Sequence, residues 1–176
     1  MPAMVLIPTA VALLLAAVFG YAAVAKLAAP RRWRTALGGY DLPPRLRRPA
    51  LVVVPLAEGA AALLLTLSAA RAGAALGLAL LSAFSLAVVR ARARRGERLP
   101  CGCFGRSGVR DARLMLIRNA LLAALCVAVL LVGPRAGAVS VAPRVLLLPA
   151  SLTGLGLAVA LWLVWQARAA MRGGRP

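Results

Sequence analysis

Two thiols separated by a single residue, Cys101 and Cys103, sit in the heptapeptide Leu99-Pro100-Cys101-Gly102-Cys103-Phe104-Gly105. Pro100 stops a helix before the pair, and Gly102 permits backbone angles that bring the two sulfurs together. A disulfide ring this small is strained, and strained disulfides are readily reduced. Arg98 and Arg106 flank the pair and favour thiolate over thiol. Two small apolar side chains in a turn would also account for the pair, but two of only three cysteines meeting at a Pro/Gly turn favours redox work. Metal binding is the weaker alternative. The chain has no histidine, so two sulfurs cannot complete a tetrahedral zinc site, although copper(I) or a dimer could use them. No metal is expected.

A second set of polar residues lies within apolar surroundings. Glu58 falls about nine residues into an apolar run, roughly 13 Å along a helix axis. An intramembrane carboxylate is costly and is expected to face a bundle interior with a partner. Lys26 and Arg118 could reach it, with Asn119 and Tyr21 supplementing the hydrogen bonds. Such a cluster could move protons beneath the thiols or hold a lipid headgroup or a quinone. It could equally be a buried ion pair that fixes helix register. No cofactor is expected, and no motif calls for a quinone. Cys126 lies thirteen residues after Arg113, about 20 Å along a helix. It reads as a packing residue between helices, or as a candidate third thiol too distant for direct exchange with the pair.

The elements that must position these residues are long apolar runs. The 176-residue chain is 62% hydrophobic, above the roughly 45–50% of soluble domains. The runs span 4–27, 50–70, 72–89, 114–132 and 145–167, each long enough to cross a ~30 Å hydrocarbon layer as a helix. Strands of a membrane barrel would alternate polar and apolar residues, and these runs do not. The expected fold is therefore all-α, a single polytopic bundle over 1–176 with five membrane helices. Only Arg71 and Gly73 mark the join of the second and third runs, which predicts a tight helical hairpin. Pro55 predicts a kink three residues before Glu58. Trp162 and Trp165 suit interface anchors at the end of the fifth run. The first run is too long for a signal-peptide core, despite an A-x-A pattern at Ala23-Val24-Ala25.

The net charge of +18 could suggest nucleic acid, but the basic residues lie between the runs, where membrane topology requires them. Segments 26–48 and 90–113 and the tail hold eighteen of them, while the alternate segments hold three (Arg71, Arg135 and Arg144). The positive-inside rule predicts an outer N-terminus, a cytoplasmic C-terminus and a cytoplasmic Cys101/Cys103 loop in a bacterial plasma membrane. Residues 90–98, RARARRGER, read as a topology determinant that contacts lipid headgroups, in preference to a partner-docking site. Segment 31–48, with Trp33, Tyr40 and Leu42-Pro43-Pro44, reads as a short interfacial amphipathic piece followed by a turn.

Taken together, LPCGCFG between the third and fourth runs, Lys26-Leu27 ending the first, Pro55-x-x-Glu58 in the second and Arg118-Asn119 opening the fourth resemble the MauE family of methylamine utilization proteins, a branch of the DoxX-like group. The resemblance extends from Val5 to about Ala167 and is carried chiefly by CGCFG. It implies a DoxX-like four-helix core plus one further helix. It also implies an accessory role in maturing the disulfide-rich small subunit of methylamine dehydrogenase, with a thioredoxin-like, MauD-like partner. By carry-over, Cys101 and Cys103 are the redox pair of a thiol–disulfide carrier rather than of a self-contained enzyme. A cytoplasmic pair suits a carrier of reducing equivalents across the bilayer, not a direct oxidant of exported protein. The alternative is a non-enzymatic DoxX-like scaffold, or a quinone- or lipid-binding subunit, in which the thiols are dispensable.

Overall fold

A computed structural model describes residues 2–40, 42–67, 69–100 and 109–133. The predicted fifth crossing, 145–167, and the segment 101–108 with its thiol pair lie outside the described residues. Four long helices dominate: α1 (Pro2–Ala28), α3 (Pro44–Thr66), α4 (Ala70–Arg95) and α5 (Ala112–Val132). All four are long and apolar enough to cross a membrane. A short helix, α2 (Pro30–Gly39), follows α1. A two-stranded antiparallel ribbon, β1 (Arg98–Pro100) and β2 (Val109–Asp111), joins α4 to α5.

The helices run up and down in succession. α1 packs on α3, α3 on α4 and α4 on α5, and α5 returns to α1. One core holds Leu15 and Phe19 of α1, Leu65 of α3, Ala74 of α4 and Val129 of α5. A second joins Tyr40 to Val88 and Ala91 of α4 and to Met115 of α5. The two basic segments therefore meet at one end of the bundle, and the α3–α4 hairpin lies at the other.

The residue distribution is the reverse of a soluble protein's. Small side chains such as Ala12, Ala16, Ala61, Ala70 and Ala74 fill the interior, while Leu121 and Leu131 stand 64% and 74% exposed. Lipid is as apolar as leucine, so large side chains gain little by turning inward. Close van der Waals approach of small residues holds the helices together instead. Gly73 and Gly77 of α4 make that approach explicit. A Cβ at Gly73 would lie 2.7 Å from Leu65 N and 2.9 Å from Ala61 O, so α3 and α4 touch backbone to backbone there. A Cβ at Gly77 would lie 2.7 Å from the Phe19 ring and 3.4 Å from Cys126 Sγ.

The expected hairpin is present, with α3 ending at Thr66 and α4 starting at Ala70. Arg71 in its first turn reaches across to α5, where Nε donates to Gly133 O at 3.3 Å and Nη2 to Leu131 O at 3.5 Å. These are terminal carbonyls that no helical N–H can satisfy. The helices also extend beyond the apolar runs. α3 begins six residues before the predicted 50, because Pro44 at its start needs no N–H partner. Arg45, Arg47 and Arg48 thus ride on α3, exposed, rather than on the preceding loop. α3 continues through Pro49 and Pro55, each of which removes one N–H and leaves the carbonyls of Arg45 and Leu51 without their helical donors. α4 runs to Arg95 rather than ending near Val89, and its last turns carry arginines that complement the helix dipole. Gly96 ends it at φ +86°, a conformation open to glycine.

Candidate functional site

The expected amphipathic piece is α2, and it forms a roof over the basic end of α1, α3 and α4. Trp33, Ala36 and Leu37 pack on Leu51 and Val54 of α3 and on Phe84 of α4. Beneath this roof Lys26 meets Glu58. Lys26 Nζ donates to Glu58 Oε1 at 2.6 Å and Oε2 at 2.8 Å, and lies 3.4 Å from Ala22 O. The side chains are 0% and 3% exposed. The ammonium also lies 5.2 Å from the centre of the Trp33 ring and 5.6 Å from that of Phe84. Attraction to the two π faces adds to the carboxylate bonds in offsetting the desolvation of the cation.

Arg118 and Asn119 sit near the start of α5. Arg118 Nη2 donates to Asn119 Oδ1 at 3.0 Å, and Asn119 Nδ2 donates to Ser85 Oγ of α4 at 3.3 Å. Ser85 is the neighbour of Phe84, so the α4–α5 polar contact and the Lys26–Glu58 pair adjoin through one aromatic residue. Asn119 is buried, and Tyr21 is 41% exposed. Sequence reasoning picked out Lys26 and Glu58 and missed the aromatic walls. Trp33 was legible as an interfacial residue seven positions after Lys26, but nothing in the spacing marks Phe84 as its counterpart.

Cys126 is a free, fully buried thiol. It packs in the first core near Gly77 and Phe19, as a residue between helices does. It lies toward the hairpin end of α5, remote from the ribbon.

The thiol pair is bracketed by well-anchored chain. The ribbon pairs Arg98 with Asp111, Leu99 with Arg110 and Pro100 with Val109. Glu97 ties both sides together. Its carboxylate accepts from Arg92 of α4 and lies 3.5 Å from Arg113 Nε of α5, while its carbonyl accepts from Ala112 N at 2.8 Å. The Asp111 carboxylate caps α5, accepting from Arg113 N at 2.8 Å. The only two carboxylates in the segment 90–113 thus hold the ends of α4 and α5 and the ribbon between them.

A groove opens beside the roof. Two adjoining cavities, of about 320 and 340 Å³, share Tyr40, Leu42, Leu46, Ala83 and Ala87. The first is lined almost wholly by carbon and reaches Trp33 and Phe84. The second reaches Arg90 and Arg94.

No curated protein and no solved structure matches the chain. The model of one family, methylamine utilisation protein MauE, matches residues 4–132. That match begins in α1 and ends on the last residue of α5, so it takes in the whole four-helix bundle, the roof and the segment with the cysteine pair, and stops short of the fifth apolar run. With most of its length covered, this multi-pass membrane protein belongs to the MauE family.

Proposed function

We propose that this protein is a membrane accessory of thiol–disulfide maturation, with Cys101 and Cys103 as its exchanging pair, serving methylamine metabolism as the family name suggests. The observation that carries this reading is the anchored ribbon on both sides of the pair, clamped by Glu97 and capped by Asp111. The paired strands hold the two chain ends that flank the thiols side by side. In the exchange, the Cys101 thiolate attacks a disulfide of a thioredoxin-like partner and releases one partner thiolate. The Cys103 thiolate then attacks Cys101 Sγ and releases the other. The partner gains two electrons and two protons, and this chain loses the same. The reverse sequence delivers them.

The basic end of the bundle carries the arginine excess, which supports a cytoplasmic orientation for that end. A Cys103→Ser variant is expected to accumulate a mixed disulfide between Cys101 and a thioredoxin-fold protein. Absence of any such adduct, together with full cellular function of the Cys101→Ser/Cys103→Ser variant, overturns the reading.

The buried Lys26–Glu58 pair favours a second reading, a non-enzymatic scaffold. Both carboxylate oxygens are engaged at short distances, which is the arrangement of a structural lock. In the scaffold the thiols are dispensable, so the double serine variant separates the two readings.

A further inference from the structure

We propose that the groove between α2, α3 and α4 binds one anionic phospholipid, with its phosphate on Arg90 and Arg94 and an acyl chain in the carbon-lined slot behind them. Ala83, Leu86, Ala87, Arg90 and Arg94 line one cavity from a single helix. Steps of three or four residues, from Ala83 to Leu86 and Ala87, from Ala87 to Arg90 and from Arg90 to Arg94, make them one stripe on α4. The stripe is apolar over its first turn, Ala83 to Ala87, and cationic over its last, Arg90 to Arg94. From Phe84 at the inner end to Arg94 at the mouth is ten residues, about 15 Å of helix. An amphiphile with a charged head and a carbon tail matches that order. Each cavity lies within the size range of small-ligand sites, about 300–1,000 Å³.

Charge complementarity identifies the head. Neither Arg90 nor Arg94 has a hydrogen bond or ion pair among the described residues, whereas Arg92, on another face of the same helix, is paired with Glu97. The chain's own fifth apolar run is a poor occupant. Residues 134–176 contain no carboxylate, and that run is followed by Arg168, Arg172 and Arg175. A phosphodiester supplies the missing anion. Trp33 and Phe84 wall the inner slot with aromatic carbon, which suits an acyl chain rather than a polar group.

The test is native mass spectrometry of the full chain released from micelles holding equal amounts of dioleoyl phosphatidylglycerol and dioleoyl phosphatidylcholine. One phosphatidylglycerol per chain is expected, retained about tenfold over phosphatidylcholine. R90Q/R94Q is expected to abolish that preference. R31Q/R34Q removes two exposed charges from the roof and is expected to leave it intact. A83W fills the slot and is expected to lose the bound lipid with both arginines in place, so a folding defect in one variant still leaves the other to decide. Excess inorganic phosphate is expected not to displace the lipid. Equal retention of the two lipids, an equal loss in R31Q/R34Q, retention in A83W, or displacement by inorganic phosphate each overturns the proposal.

Discussion

Lys26 and Glu58 share a hydrogen-bonded ion pair, 2.6 and 2.8 Å from Nζ to the two carboxylate oxygens, that joins α1 to α3 beneath the rings of Trp33 and Phe84. Because both side chains are buried, removing Lys26 or Glu58 alone takes away the bonds that offset the other's desolvation, whereas removing both takes away both charges. Lys26→Met or Glu58→Leu alone is therefore expected to destabilise the protein by about 3–5 kcal/mol, and the double variant to recover most of that loss. Thermal unfolding in detergent across the double-mutant cycle measures it. Additive losses would show that the two groups are not coupled.

Gly73 and Gly77 are both closed to a methyl group, but by different neighbours. At Gly77 the obstacle is the end of the Phe19 ring, which can shift, and at Gly73 it is the backbone of α3, which cannot shift without parting the hairpin. Gly77→Ala is expected to cost about 1–3 kcal/mol and to be relieved by Phe19→Leu. Gly73→Ala is expected to cost more and to have no rescuing side-chain substitution. Melting temperatures of the three variants establish the order.

Arg71 holds the end of α5 from the neighbouring hairpin. Arg71→Gln is expected to cost about 1 kcal/mol and to fray the last turn of α5, leaving the rest of the bundle unchanged. Hydrogen exchange of the amides near Val132, compared with those near Asn119, resolves the local effect from a global one.

Cys126 is sealed in the core, while Cys101 and Cys103 belong to a segment between two basic helix ends. The Cys101→Ser/Cys103→Ser variant is expected to resist maleimide until it is unfolded. In the parent chain, labelling of the pair is expected only after cells are opened, in keeping with the orientation proposed for the basic end. Labelling on intact cells would reverse that orientation.

Much of this was legible in the chain. Run length and the distribution of arginines gave the helical membrane class and the grouping of two basic segments at one end. Glu58 announced a partner because an isolated carboxylate has no stable place among leucines. Which faces turn inward was not legible. α1, α4 and α5 are apolar all round, so their periodicity does not separate interior from lipid-facing positions. The inward face is chosen by small size, and the Gly73-x-x-x-Gly77 spacing was the available signal for it. Helix ends were misjudged for a related reason. Apolar runs mark what lies in hydrocarbon, whereas backbone hydrogen bonds carry α3 and α4 on into the arginine-rich flanks.

Local composition therefore accounts for what crosses the membrane and which end is basic, since both follow from the transfer of individual side chains between water and lipid. The choice of Lys26 as a partner of Glu58, the aromatic walls around it and the groove ending at Arg90 and Arg94 depend on helices brought together from distant parts of the chain. Their contacts are properties of packing and crossing helices, and no single segment contains them.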